Sequence, residues 1–144
     1  MPLTPSPRRV EPREGSYTRQ NITPTDTGIS DASINSTARG LGSAIDNTGG
    51  ELEVCKARLA FTPAAAPTGT WELYFLEADA NGAYDDGSAS ITPAKLPSCV
   101  FSTRSATGAH VNTRRVRVPV GVVKPLLVNS CGQNATGVSL SFFK

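Results

Sequence analysis

Thirteen residues, "LEADANGAYDDGS" from Leu76 to Ser88, hold four carboxylates, Glu77, Asp79, Asp85 and Asp86, with Asn81, Gly82 and Gly87 between them. Oxygen ligands at this density suggest a calcium loop. The helix-loop-helix pattern needs oxygen donors at positions 1, 3 and 5, Gly at 6 and Glu at 12. Counting from Asp79, Asn81 fills position 3, but Ala83, Tyr84 and Ser90 occupy positions 5, 6 and 12. The match breaks after two ligands. A looser site from Asp79, Asn81, Asp85 and Asp86 stays open as a weak ion contact, and no metal or cofactor is expected. Asn-Gly and Asp-Gly favour positive φ and tight turns. The segment therefore reads first as a solvated excursion between two strands.

Other residues with chemical potential are few. His110 is the single histidine, and no GxSxG elbow accompanies it. It is expected exposed on a strand or turn. The adjacent carboxylate pairs, Glu51 with Glu53 and Asp85 with Asp86, have no evident means of shifting a pKa, so glycoside hydrolysis is unsupported. Cys55, Cys99 and Cys131 are odd in number and widely spaced, which favours reduced thiols over a disulfide framework or a zinc site. The expectation is a protein without catalytic residues.

The strongest basic cluster is "TRRVRV". On a strand, Arg115 and Arg117 share one face and Arg114 lies with Val116 on the other. No aromatics interleave with these arginines as a nucleic-acid stacking platform requires. They read as an interface or a charged edge, since charge blunts edge strands and Arg is enriched at protein interfaces. No nucleic-acid partner is expected. The "NIT", "NST" and "NAT" triplets match the glycosylation pattern by coincidence in a Thr-rich chain.

The elements behind these residues are strands. "CKARLAF" alternates Cys55, Ala57, Leu59 and Phe61 with Lys56, Arg58 and Ala60, a half-buried strand. Leu52 and Val54 fall in the opposite phase, which suggests a bulge near Val54–Cys55. "PAAAPTG" is a turn. In "TWELYFLE", Trp71, Leu73 and Phe75 share a face, while Glu72, Tyr74 and Leu76 share the other. "SCVFST", "HVNTRRVRVPV", "KPLLVNS" and "GVSLSFF" follow, with "SCGQNAT" read as a hairpin connection between the last two. Six or more close-spaced strands without an amphipathic helix predict an all-β, antiparallel β-sandwich. Tyr17 and Tyr84 are the expected exposed aromatics.

At 144 residues, with 38% hydrophobic and 18% charged residues and a net charge of +2, the chain suits one soluble domain. No apolar run reaches the roughly 20 residues of a membrane span, so no membrane partner is expected. The opening "MPLTPSPRRVEPREG" has no apolar stretch of the secretory kind. Composition changes near residue 45. The first 45 residues carry five of the eleven prolines and scattered apolar residues. Such a segment cannot bury enough apolar surface to fold alone. The expected division is an extended N-terminal arm, 1–45, and a β-sandwich domain, 46–144. Arg8, Arg9, Arg13 and Arg19 are the arm's candidate polar anchors, and Tyr17 the aromatic one.

"WELYFLEADANGAYDDGS" resembles a recurrent segment of tailed-bacteriophage virion proteins, in which an apolar strand ending near "YLL" is followed by an acidic residue and then "DG…Y.DG". Asn81-Gly82 stands where Asp-Gly is commoner. The resemblance extends to "LGSAIDNTGGELEVCKARLAF" and "VVKPLLVNSCGQNATGVSLSF", in both of which an Asn-containing turn adjoins an apolar strand, and it covers roughly residues 41–144. It implies a jelly-roll-like sandwich serving as a head decoration or cement protein. The implied partners are the major capsid protein and the chain itself, as a homotrimer. The implied location is the virion, after synthesis in the host bacterial cytoplasm. A tail, neck or baseplate protein of the same fold, or a carbohydrate-binding sandwich, is the alternative.

Overall fold

Alternation in "CKARLAF" becomes a strand with Cys55, Ala57, Leu59 and Phe61 buried and Lys56 and Arg58 exposed. A computed structural model describes residues 26–144 and arranges them as nine strands: β1 (Asp26–Ile34), β2 (Arg39–Leu41), β3 (Ile45–Asn47), β4 (Cys55–Pro63), β5 (Thr70–Glu77), β6 (Cys99–Phe101), β7 (His110–Val116), β8 (Gly121–Ser130) and β9 (Ala135–Phe143). Residues 1–25, with Arg8, Arg9, Arg13, Tyr17 and Arg19, lie outside the described residues.

All pairings are antiparallel and nested: β1 with β9, β2 and β3 with β8, β4 with β7, β5 with β6. The chain is thus one long hairpin. Contacts of β4 with β9 and of β5 with β8 roll it into two sheets, ordered β1-β9-β4-β7 and β2-β8-β5-β6, with β3 continuing beside β8. This is an antiparallel jelly-roll sandwich, as the strand pattern and the resemblance led one to expect. β2 and β3 fill one strand position, interrupted at Gly42. A Cβ there would collide with the Gly28 carbonyl oxygen, so only glycine lets β1 pass this close.

The sheets meet through their inner faces. Trp71, Leu73 and Phe75 of β5 are fully or almost fully buried against Leu59, Phe61, Leu140 and Phe142. Two tilted aromatic pairs span the sandwich, Phe61–Trp71 at 5.1 Å between centroids and Phe75–Phe142 at 5.5 Å. Such pairs add about 0.5–1.5 kcal/mol beyond the area they bury.

Three expectations need correction. The boundary at residue 45 falls inside the fold. β1 supplies an edge of one sheet and β2 an edge of the other, and Ile29 and Ile34 belong to the core. Ile29 and Ile34 are five residues apart and would face opposite ways on a regular strand. Register shifts along β1, with Asp31 at φ 44°, return both to the interior. Leu52 and Val54 do not mark a bulge in β4. They belong to turns before it, where the Leu52 amide donates to Asn47 Oδ1. "SCGQNAT" is not a hairpin connection either, because β8 and β9 lie in different sheets.

That corner is held by Asn129, which is fully buried. Its Nδ2 donates to the Ile34 and Gln133 carbonyls at 3.0 and 2.8 Å, and its Oδ1 accepts from the Cys131 amide. Asn47 does the same at the other end of β8, donating to the Val118 and Pro119 carbonyls. These are the asparagines of the two Asn-containing turns in the sequence.

Two outcomes are expected. Asn129→Ala strands three backbone groups, at about 1–3 kcal/mol for each one left without a partner. It should lower stability by about 3 kcal/mol or more in a denaturant titration, and a loss below about 1 kcal/mol would show that the corner closes without it. Removing residues 1–40 deletes β1 and part of β2 and should abolish cooperative melting, whereas removing 1–24 deletes no described strand and should preserve it. A cooperative melt in the longer deletion would return β1 to the arm.

Candidate interaction surface

β5 and β8 are apolar on both faces. Tyr74, Leu76, Leu126 and Val128 form a second buried cluster on the outer side of their sheet. The acidic segment answers this need. The β5–β6 connection, residues 78–98, covers that outer face: Tyr84 packs on the cluster, Pro93 is buried, and Gly87 lies against Leu76. Its acids organise the cover. Asp79 Oδ1 accepts from the Asn81 and Ala83 amides at 2.8 and 2.9 Å. Asp85 Oδ2 accepts from the Glu77 amide at 3.0 Å and from Lys95 Nζ at 2.9 Å. Lys95 also donates to the Phe75 carbonyl and lies 4.0 Å from Glu77. Arg39 Nε donates to Thr92 Oγ1 at 2.6 Å. Lys124 sits 4.3 Å above the Tyr84 ring, so Tyr84 is half-buried rather than exposed as expected. These carboxylates are engaged by loop amides and Lys95. Among the described residues no group of three or more His, Cys, Asp or Glu side chains is placed to hold a metal.

His110 is buried, not exposed. Its ring stacks at 4.9 Å on Phe61, and Nε2 lies 2.7 Å from the Ala106 carbonyl oxygen. It borders a cleft of about 510 Å³ at the end of the sandwich between β6 and β7. The cleft's polar groups close the loop itself: Arg104 Nη2 donates to the Ala109 carbonyl and Asn112 Nδ2 to the Ser102 carbonyl. All three cysteines are free and buried. Burial pushes the Cys55 thiol up to about 11 and raises Cys99 as well, with Arg114 opposing the latter shift. All three lie within the core cluster between the sheets.

The outer face of the β4 sheet is different. Its outward residues on β4 and β7, Lys56, Arg58, Thr62, Val111, Thr113 and Arg115, are exposed. Register puts Lys56 directly opposite Arg115 and Arg58 opposite Thr113. On the other side of β4, Arg58 faces Ser141. Among the described residues no salt bridge reaches Lys56, Arg58 or Arg115. The three sequence-predicted arginines therefore separate. Arg115 joins a basic face, and Arg117, beyond the strand, is paired with Glu53 at 3.1 Å. Arg114 has the inward phase of Val116 but is exposed on the edge strand. Lys56 and Arg58 were legible as outward residues of their strand. Their partnership with Arg115 was not, because it depends on the β4–β7 pairing across about 50 residues of chain. Compared with known proteins, the chain matches no family model and no curated protein.

The loop has a pH signature. Accepting first the Glu77 amide and then the Lys95 ammonium holds the Asp85 carboxyl below its ordinary range. A folded pKa below the unfolded one means that Asp85 stabilises the loop above about pH 4 and that this contribution disappears as pH falls through the lowered value. Limited proteolysis in mildly acidic buffer, above that value, should therefore leave residues 78–98 resistant. Asp85→Ala should expose them to cleavage at neutral pH while the global melt survives. Equal resistance in the variant would show that the cover does not depend on this carboxylate.

Proposed function

We propose that the protein is a non-enzymatic structural subunit of a tailed-phage virion, a decoration or cement protein that bridges major capsid subunits on the head. The observation that carries this reading is the nested jelly-roll pairing, an architecture that recurs in viral capsid domains as well as in lectins and cupins. The resemblance of residues 41–144 to phage virion proteins directs the choice among these. The engagement of the acidic loop, His110 and the cysteines within the fold is in keeping with a mechanical role. Its contribution would be buried area between capsid subunits, resisting expansion and internal DNA pressure. In this reading the segment before β1 reaches neighbouring subunits through Arg8, Arg9, Arg13, Tyr17 and Arg19.

Mass spectrometry and immunogold labelling of purified virions test the reading, together with heating of particles that lack the subunit. The expected result is multiple copies on the head, earlier DNA release in deficient particles, and recovery on adding the purified chain. A chain lacking residues 1–24 should keep its melt but occupy fewer head sites. Labelling confined to the tail would replace the head reading with the tail one, and absence from particles would refute both.

A further inference from the structure

The two outer faces of the sandwich carry opposite charge. On the β4 sheet, Lys56, Arg58 and Arg115 gather with no salt bridge among the described residues. On the β5 sheet, the strand end and its cover present Glu77, Asp79, Asp85 and Asp86, all exposed, while the cations of that face are engaged within it, Lys95 by Glu77 and Asp85, Arg39 by Thr92 and Lys124 by the Tyr84 ring. Like charges directly opposite across a strand pair, as Lys56 and Arg115 are, destabilise the isolated sheet. An incoming carboxylate reverses the sign of that term. The geometry points to head-to-tail self-association: the basic outer face of the β4 sheet of one molecule receives the acidic 77–86 segment of a second copy.

Complementary charge selects this occupant. The chain's own N-terminal segment is excluded as the ligand of the basic face, because residues 1–25 hold four arginines against two glutamates. A nucleic-acid strand would use stacking aromatics, and none is interspersed among Lys56, Arg58 and Arg115. The two surfaces lie on opposite sides of one molecule, so the contact is heterologous. Such contacts close into rings when the rotation permits and otherwise run on as filaments. A closed ring would supply the homotrimer that the resemblance to phage virion proteins implies, and in that respect the inference rests on the particle reading. The contact is tested on the isolated chain, so its failure and the failure of that reading are distinguishable.

Sedimentation velocity of the full-length chain over a concentration series, at low and high ionic strength, is the test. The expected result is reversible association at low salt that weakens as salt screens exposed charges. Lys56→Glu/Arg58→Glu and Glu77→Lys/Asp86→Lys should each weaken self-association by about tenfold or more, with unchanged circular dichroism. Mixing the two reversed variants should restore association, since each then presents the sign the other requires. Lys56→Ala/Arg58→Ala serves as a milder probe of the same face should a reversal disturb folding. A chain that stays monomeric at low salt overturns the proposal. So does association indifferent to salt and to these substitutions, or a mixture that fails to recover. Binding of a short DNA duplex that needs Lys56 and Arg58, by a chain that does not self-associate, would assign the face to nucleic acid instead.

Discussion

Strand β5 is buried on both sides, and much of the molecule follows from that constraint. Trp71, Leu73 and Phe75 fill the space between the sheets, while Tyr74 and Leu76 point the other way and are equally hidden. An antiparallel sheet usually leaves one face to water. Here the neighbouring β8 is also apolar outward, through Leu126 and Val128. Leaving these side chains exposed would forfeit about 1.5–3 kcal/mol for each large one. A cover is therefore required, and the connection from β5 to β6 is the segment placed to provide it. Its acids are consistent with that duty. Asp79 and Asp85 hold the backbone of a loop that has little regular structure of its own, and their charge keeps the outside of the cover wet.

The same constraint explains why β5 and β6 are the only consecutive strands among those described that pair with each other. Apart from β2 and β3, which share one strand position, every other consecutive pair changes sheet. A chain that changes sheet at nearly every turn brings backbone carbonyls into the ends of the sandwich, where buried polar groups need partners. Asn129 and Asn47 meet that need at opposite ends of β8. Their amides satisfy carbonyls from segments far apart in sequence, so the corners are tied to the central strand rather than to their own loops.

Legibility in the sequence followed period and distance. β4 alternates throughout and β9 from Val138 onward, and the inward residues of these strands and of β5 were readable as such. β1 was not, because register shifts and the left-handed backbone at Asp31 break the period-two pattern on which the reading depends. Its polar Ser, Thr and Asp residues then resemble a linker. Tyr84 and His110 misled for a related reason. Both lie on polar, turn-rich segments, and their burial is decided by distant strands: Leu126 and Lys124 near Tyr84, Phe61 beside His110. The acidic loop was recognised as a structural excursion, but its destination, the outer face of its own sheet, depends on both faces of β8 being apolar.

The basic face belongs to the same class of non-local fact. Lys56 and Arg58 are unremarkable outward residues of one strand, and Arg115 is one arginine in a run of three. Pairing β4 with β7 sets Lys56 and Arg115 side by side on an exposed sheet face. A fold indifferent to surroundings would gain from a carboxylate at either position, since a cross-strand opposite-charge pair contributes roughly 0.2–1 kcal/mol where a like pair opposes pairing. Glu53 shows that the chain can supply such a partner nearby, and it pairs with Arg117 instead. The opposite arrangement holds on the other side, where Lys95 neutralises part of the acidic face and, among the described residues, no salt bridge reaches Asp79 or Asp86. Charge divided this way across a thin sandwich gives the molecule a direction through its two sheets, and long-range charge of this kind orients an approaching partner before contact.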